Sequence, residues 1–247
     1  PTGCRMRIGL PREIKDGEYR VALTPAGVGA LVGAGHQVAI GLNLGLGVGF
    51  ADSEYEKAGA RTANPWDAEL IIKVKELQEA EYRLPRAGQT IFSFQHFGPE
   101  PALLDAALAS GATFIAFESV GQDDGSLPIL APMSAIAGRL AVQVGAWCLQ
   151  KHNGGSGVLL SGADGVPPGK IIILGAGNVG SNALAVAHGI GAEVTVFAKS
   201  DRRFSSLLSA FPGTKFKTQA LEENISSADL VIGGVLTPGQ MSPKLIT

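Results

Sequence analysis

Three side chains in the first half of the chain suit the chemistry of a small α-amino or α-keto acid: Arg20, Lys75 and His96. An arginine can clamp a carboxylate through two parallel hydrogen bonds, and a lysine can hold a carboxylate or polarise a carbonyl. A histidine can exchange protons near neutral pH. Each residue alone is also common on a solvated surface, but together they predict a site that binds an amino or keto acid and moves a proton on it.

A second set of residues has the spacing of a dinucleotide-binding turn. Gly175, Gly177 and Gly180 form the pattern G-x-G-x-x-G. The first glycine permits a tight turn, the second lets a pyrophosphate approach the backbone, and the third lets the following helix pack closely on the strand. Free N–H groups at the start of that helix, from about Asn178, favour anions. The pattern also fits an ordinary strand-to-helix turn in a chain with 34 glycines, but the strands before and after it favour a nucleotide site.

The residue at the end of the second of these strands departs from the usual pattern. An acidic residue normally binds the adenosine ribose there, but this chain has Ala198, followed by the polar and mostly basic segment 199–203. Without the acid, the ribose hydroxyls lose a hydrogen-bond partner and a 2′-phosphate is no longer repelled. We therefore predict a dinucleotide cofactor, with weaker discrimination against a 2′-phosphate on its adenosine ribose than an acidic residue would give.

Short apolar strands alternate with helical patterns along the chain, which predicts an α/β fold with mainly parallel sheets flanked by helices. Lys75 and His96 each follow one of these strands directly. Ligands of open α/β sheets bind at the carboxyl edge of the strands, and so this placement favours one site for both side chains. The strands predicted in this part of the chain cover residues 6–10, 36–40, 70–74, 90–95 and 113–117.

An apolar pattern without proline over residues 133–150 predicts one long helix that bridges two domains. We place a substrate-binding domain at residues 1–131 and a Rossmann-type dinucleotide-binding domain at residues 132–247. A doubly wound nucleotide domain usually has about six strands, and so we expect the second domain to be incomplete. Its predicted strands cover residues 170–174, 193–197, 215–218 and 229–232.

Composition and charge argue against several classes of protein. The 20 basic and 22 acidic residues nearly balance, which disfavours nucleic acid or an anionic membrane surface as a partner. Apolar runs stay shorter than the roughly 18 residues of a membrane span. The two cysteines, Cys4 and Cys148, fit neither a disulfide framework nor a metal site. We therefore expect a cytoplasmic protein that acts on a small molecule and holds no metal.

Several separate segments resemble the alanine dehydrogenases and keep that family's order and spacing from Met6 to Thr247. The resemblance implies two α/β domains around a cleft and the oxidation of L-alanine to pyruvate and ammonia with NAD, or the reverse reaction. Members of the family are commonly hexamers, which implies a homo-oligomer here. The matching segments are residues 7–28 (RIGLPREIK through YRVALTPAGV), 72–76 (IKVKE), 132–134 (PMS), 153–155 (NGG) and 228–233 (ADLVIG).

Carried over by position, the resemblance implies a role for each candidate residue. Arg20 and Lys75 would hold the substrate by its carboxylate and by its keto or imino side, and His96 would be the general acid and base. Hydride would pass from the substrate α-carbon to the nicotinamide, leaving an imine that water converts to pyruvate and ammonia. Besides the three glycines, the implied cofactor contacts are Ser134, Asn178, Val179, Arg203, Val235 and Leu236.

Three departures from the family keep two alternatives open. Ala198 replaces the ribose-binding acid, Ala220 stands where the family tends to have a cofactor-binding serine, and we expect the catalytic aspartate and the C-terminal part to lie beyond Thr247. Together these departures are compatible with a non-catalytic relative. The other alternative is the NAD(H)-binding component of a proton-translocating transhydrogenase, which shares the fold. Such components tend not to keep the second lysine of Lys73-Val-Lys75, which favours the dehydrogenase.

Overall fold

The computed structural model describes residues 5–235 and 242–246. The chain divides into two compact units, Pro1–Leu127 and Pro128–Thr247. Each unit is built around its own parallel sheet, and so the predicted α/β fold class is confirmed. No helix in the described part of the chain is both long and apolar enough to cross a membrane.

The sheet of the first unit has the strand order of a doubly wound nucleotide fold. Within the described residues its strands are β1 (Arg7–Leu10), β2 (Gln37–Ile40), β3 (Arg61–Thr62), β4 (Leu70–Ile72), β5 (Thr90–Ser93) and β6 (Thr113–Ala116). They pair in the order β3-β2-β1-β4-β5-β6, and every pair is parallel. The order reverses between β1 and β4, and ligands of such sheets bind in the crevice at that reversal. Strand β3 was not predicted, because its two exposed residues carry no apolar pattern.

Helices cover the sheet of the first unit and fix where its loops begin. The α-helices in its described residues are α1 (Pro25–Gly33), α2 (Asp52–Lys57) and α3 (Pro101–Ser110). The hydroxyl of Thr24 accepts a hydrogen bond from the N–H of Gly27 at 3.3 Å, which caps the start of α1. Val28 of α1 and Tyr55 of α2 pack with Leu10 of β1 in one core. This packing anchors the sheet edge from which the candidate substrate residues extend.

The second unit has a parallel sheet of four strands among the described residues, as predicted. These are β7 (Lys170–Leu174), β8 (Glu193–Phe197), β9 (Lys215–Lys217) and β10 (Leu230–Gly233), paired in the order β10-β7-β8-β9. Its α-helices are α4 (Ala131–Cys148), α5 (Asn178–Gly189), α6 (Phe204–Ala210) and α7 (Leu221–Ile225). The long helix predicted over residues 133–150 is α4, which begins and ends two residues earlier.

Glycines allow α4 to pack closely within the second unit. A Cβ on Gly138 would lie 2.1 Å from the carbonyl oxygen of Val179 in the first turn of α5. A Cβ on Gly145 would lie 2.4 Å from the side chain of Leu230 at the start of β10. The earlier part of α4 therefore contacts the amino end of α5, at the carboxyl edge of the sheet, and the later part of α4 contacts the opposite edge, where β10 begins. Since α5 also runs from the carboxyl edge to that opposite edge, the two helices run in the same direction. Ser134, one turn before Gly138 on the same face, consequently lies near the amino end of α5.

Candidate active site

Lys75 and His96 meet at one carboxylate, that of Glu76. Lys75 follows β4 and His96 follows β5, which are neighbours in the sheet. The Nζ of Lys75 lies 3.6 Å from Oε2 of Glu76, and Nδ1 of His96 lies 2.9 Å from the same oxygen. The structure thus brings together the two side chains that the sequence placed at separate strand ends.

Sequence reasoning missed Glu76 itself and its further partner, Lys15. The signs in the sequence were that both residues end segments that resemble the family, RIGLPREIK and IKVKE, and that Glu76 directly follows Lys75 at the edge of the sheet where ligands bind. Its other carboxylate oxygen, Oε1, is ion-paired with the Nζ of Lys15 from the loop after β1. The Glu76 side chain is only 8% exposed. Glu76 therefore lies at the centre of the candidate site, with basic side chains around it.

The basic neighbours keep Glu76 ionised. Burial alone would raise the pKa of this carboxyl, but hydrogen bonds from Lys15 and His96 and the charge of Lys75 outweigh burial and lower the pKa to about 2. The group is therefore a carboxylate throughout the neutral pH range. An ionised carboxylate accepts hydrogen bonds and donates none.

The backbone of His96 is held in an unusual conformation. Its φ is +47°, in the left-handed region that costs free energy for residues other than glycine and that is enriched at functional sites. Its N–H donates to Oε1 of Glu118 at 3.2 Å, and its ring stacks on that of Phe94 with 5.8 Å between the centroids. The side chain remains 44% exposed. The ring is thus held in place while part of it stays open to a substrate.

The two lysines after β4 have different environments. The Lys73 side chain is 0% exposed, and its Nζ lies 2.6 Å from Oε2 of Glu81 and 3.7 Å from Oε2 of Glu13. The Lys75 side chain is 21% exposed and faces Glu76. Lys73 therefore neutralises buried carboxylates inside the fold, whereas Lys75 is the lysine that a substrate can reach.

Arg20 is aligned with a carboxylate of its own loop. Its Nε donates to Oε1 of Glu18 at 2.8 Å, and its Nη2 donates to Oε2 at 2.7 Å. The hydrogen bond from Arg20 lowers the pKa of Glu18, and the charge of Lys75 lowers it further. The two parallel hydrogen bonds are the geometry that arginine uses to recognise carboxylates.

The glycine-rich turn of the second unit has the shape that a pyrophosphate needs. Gly175 has φ +105°, and a Cβ on Gly180 would lie 1.8 Å from the carbonyl oxygen of Gly175, so both positions require glycine. Gly177 precedes the first residue of α5, and a Cβ there would meet no described atom within 4 Å. The turn therefore leaves open space at the amino end of α5, which fits the phosphates of a dinucleotide.

Arg203 and Ala198 lie beside this turn. Nη1 of Arg203 donates to the carbonyl oxygen of Ala176 at 3.0 Å, which places the guanidinium against the turn. The N–H of Gly175 donates to the carbonyl oxygen of Phe197 at 2.7 Å, and so Ala198 is the next residue past that contact. Both positions are therefore near the end of the turn where the adenosine ribose is expected.

Val235, one of the two predicted nicotinamide contacts, comes shortly after the carboxyl end of β10. Val235 lines an apolar cavity of about 340 Å³, together with Leu174, Gly233 and part of the segment 242–246. The other predicted contact, Leu236, lies outside the described residues.

Ala220, the second departure from the family pattern, has φ +65° and precedes the short helix α7.

The first unit thus joins acid–base and cationic side chains at the switch point of its sheet, and the second unit carries a dinucleotide-binding turn. These features define a class, the oxidoreductases that use a nicotinamide dinucleotide. Family models agree with this class. The model described as alanine dehydrogenase/PNT, N-terminal domain, matches residues 9–137, and its C-terminal counterpart matches residues 141–247. The chain belongs to the alanine dehydrogenase/PNT family.

Individual relatives are similar along nearly the whole chain. An alanine dehydrogenase of Halomonas elongata is 50% identical, with an alignment that covers 98% of this chain and 68% of that protein. One of Mycolicibacterium smegmatis is 47% identical with the same coverage. A solved L-alanine dehydrogenase structure has a TM-score of 0.89 at 44% identity and covers 98% of this chain and 69% of that chain. A transhydrogenase from Sinorhizobium meliloti has a TM-score of 0.78 at 29% identity, covering 97% and 72%. The family resemblance seen in the sequence is confirmed.

Proposed function

We propose that the protein interconverts L-alanine with pyruvate and ammonia, using a nicotinamide dinucleotide. The observation that carries this proposal is the cluster of Lys75, Glu76 and His96, with 2.9 Å between His96 and the carboxylate and 3.6 Å between Lys75 and the same oxygen. It combines a cation for an anionic substrate with a group that exchanges protons. Alanine dehydrogenases at 44–50% identity support the choice of substrate.

In this mechanism each side chain acts on the substrate. Arg20 exchanges the carboxylate of Glu18 for that of alanine, which it binds through the same parallel N–H groups, and Lys75 holds the keto or imino side. When bound, the nicotinamide cofactor accepts a hydride from the α-carbon of alanine, or supplies one in reverse. Water then adds to the carbon of the resulting imine while His96 accepts a proton from the water. His96 returns that proton to the nitrogen and ammonia leaves, and the His96 imidazole then accepts the hydroxyl proton as the carbonyl of pyruvate forms.

The second unit would hold the cofactor. The glycine turn and the amino end of α5, with Asn178 and Val179, would bind the pyrophosphate, and Ser134 lies near the same end of the helix. Arg203 would contact the adenosine half, while Val235 and Leu236 would contact the nicotinamide half. The glycine turn and the apolar cavity, which lie at the same edge of the sheet, support this division.

A turnover experiment tests the proposal directly. The intact protein, given L-alanine and NAD, should raise the absorbance of the reduced cofactor. Replacing His96 by Asn should lower kcat by about 10²- to 10⁴-fold, because a general acid and base contributes that much. The matched control is His188→Asn, a half-buried histidine whose Nε2 lies 3.0 Å from the carbonyl oxygen of Pro212 in the second unit, and it should keep full activity. Absence of turnover with any small amino acid in either direction would rule out the proposed function.

A transhydrogenase component is the second candidate function, and the similarity to the Sinorhizobium meliloti structure favours it. Such a component passes hydride between two dinucleotides and needs no amino-acid site. The Lys75–Glu76–His96 cluster has no use in that reaction, and so it favours the dehydrogenase. Hydride transfer between NAD and NADP analogues without any amino acid, unchanged in His96→Asn, would reverse this preference.

We propose NAD as the cofactor used by the protein, with unusually weak discrimination against NADP because of Ala198. Replacing Ala198 by Asp should weaken NADP binding relative to NAD by about tenfold or more, since the new carboxylate repels the 2′-phosphate and bonds the ribose hydroxyls. Competitive titration of both cofactors measures the ratio. Ser209→Asp, an exposed position on α6, adds the same charge elsewhere and should leave the ratio unchanged. The idea is wrong if the unmodified protein already prefers NAD a hundredfold.

We further propose that the protein forms homo-oligomers in the cytoplasm, with the hexamer common in the family as the expected form. The exposed side chains of Ile136, Leu140, Val144 and Trp147 recur every three or four residues and so form an apolar stripe along α4. Stripes of this kind mark interfaces. The exposed free thiol of Cys148 suits a reducing compartment. Light scattering of the purified protein would give its mass in solution.

A further inference from the structure

The hydrogen bond between His96 and Glu76 determines which nitrogen of the imidazole carries the proton. Nδ1 of His96 lies 2.9 Å from Oε2 of Glu76. An ionised carboxylate can only accept, and so a neutral His96 ring must donate from Nδ1–H. The lone pair is then on Nε2, at the opposite side of the ring. Only this tautomer presents a proton acceptor to a substrate or a water molecule at Nε2.

The carboxylate of Glu76 is itself fixed from several directions. Lys15 is ion-paired with Oε1, and Lys75 lies 3.6 Å from Oε2. Lys15 comes from the loop after β1, Glu76 from the loop after β4 and His96 from the loop after β5. These three strands are consecutive in the sheet. The ion pair with Lys15 and the hydrogen bond to His96 therefore tie together three loops that meet at the switch point, and they restrict the rotation of the Glu76 side chain.

We propose that Lys15 and Glu76 form a positioning pair that fixes the tautomer and orientation of His96 for the proton transfers of the reaction. The inference rests on the proposed function and deepens it. Glu76 holds Nδ1–H and stabilises the imidazolium that forms when His96 accepts a proton, in the way that a buried aspartate acts on the histidine of a catalytic triad. Lys15 keeps the carboxylate in the rotamer that faces His96. Neither residue needs to touch the substrate.

Kinetics distinguish this role from substrate binding by Lys15. A positioning residue acts on the proton transfer, whereas a binding residue acts on the affinity for alanine. We therefore expect Glu76→Gln to lower kcat by about 10²- to 10⁴-fold, since an amide can donate as well as accept and no longer enforces one tautomer. Lys15→Met should lower kcat about tenfold or more, and Lys15→Arg should restore most of it. The KM for alanine should stay within about twofold throughout.

The closing measurement is independent of turnover. The ¹⁵N chemical shifts of a neutral imidazole show which nitrogen is protonated, and they can be recorded for His96 in the intact protein. We expect the proton on Nδ1 in the unmodified protein and in Glu79→Gln, an exposed neighbour that serves as control. A mixture of tautomers is expected in Glu76→Gln, with cooperative unfolding retained.

The outcomes separate the two proposals. If the unmodified protein has the Nδ1–H tautomer and Glu76→Gln loses it, but no amino acid is turned over, the positioning pair stands and the proposed reaction fails. If alanine is turned over and Glu76→Gln keeps both the tautomer and kcat, the positioning pair is refuted. A rise in KM with unchanged kcat in Lys15→Met would also overturn it, because Lys15 would then bind the substrate.

Discussion

Replacing Lys73 by Met should lower the free energy of unfolding by about 3–5 kcal/mol, since it leaves two buried carboxylates without their cation. The same replacement two residues later, Lys75→Met, should change the free energy of unfolding by about 1 kcal/mol or less. It should nevertheless abolish turnover of alanine. Lys73 Nζ is completely buried and lies 2.6 Å from Glu81 and 3.7 Å from Glu13. Burial raises the pKa of Glu13, although the charge of Lys73 and hydrogen bonds from the backbone N–H groups of Val74 and Lys75 oppose that rise.

Urea unfolding of the two variants under identical conditions measures the difference. A second substitution then tests the cause: Glu81→Gln in the Lys73→Met background should recover part of the loss, because one unpaired buried charge is removed. The same Glu81→Gln change in the unmodified protein should destabilise it. Equal stability of Lys73→Met and Lys75→Met would contradict this prediction, because the buried cluster would then stabilise the fold no more than the Lys75–Glu76 pair does.

Replacing Gly180 by Ala should weaken binding of the dinucleotide about 100-fold or more. The new Cβ would lie 1.8 Å from the carbonyl oxygen of Gly175, where no side-chain rotation can relieve the overlap. Helix α5 must then move away from β7, which costs about 1–3 kcal/mol of stability. The movement also withdraws the first N–H groups of α5 from the phosphates. We expect the Kd for NAD to rise about 100-fold or more, equivalent to about 2.8 kcal/mol.

Two other glycines of the same region serve as matched controls. A Cβ on Gly177 or on Gly189 would meet no described atom within 4 Å, and so both alanine variants should keep their stability within about 0.5 kcal/mol. Gly177→Ala should still weaken binding about tenfold, because the methyl group occupies space next to the pyrophosphate. Gly189→Ala, at the far end of α5, should bind normally. Calorimetric titration with NAD compares all three variants, and unchanged affinity in Gly180→Ala would show that the turn does not bind the cofactor.

Most of the fold could be predicted because its strands are buried. Strands such as β1 and β7 have consecutive buried residues, and such apolar runs between helical patterns are the signature of parallel sheets. Strand β3 was missed for the opposite reason, since Arg61 and Thr62 are exposed and β3 lies at the edge of the sheet. The order of the strands in each sheet could not be predicted from local sequence patterns, because pairing joins segments that are distant in sequence.

The candidate site was predictable only in part for the same reason. His96 and Lys75 could be found because they follow apolar strands, where ligands of α/β sheets bind. Glu76 and Lys15 could not be assigned, since Lys15 reaches Glu76 only after β1 and β4 become neighbours, with β2 and β3 between them in the chain. The left-handed backbone of His96 likewise depends on the loop contact with Glu118.

The sequence by itself determined the family, the glycine turn and the types of side chain available for chemistry, because these depend on residue identity and spacing. Only the tertiary structure decided which lysine is buried. Lys73 and Lys75 are two apart, and in a continuous strand they would share one face. Strand β4 ends at Ile72, and beyond it the alternation no longer sets the direction of a side chain. Neighbouring loops do so instead, and they direct Lys73 to Glu81 in the interior and Lys75 to Glu76 in the candidate site.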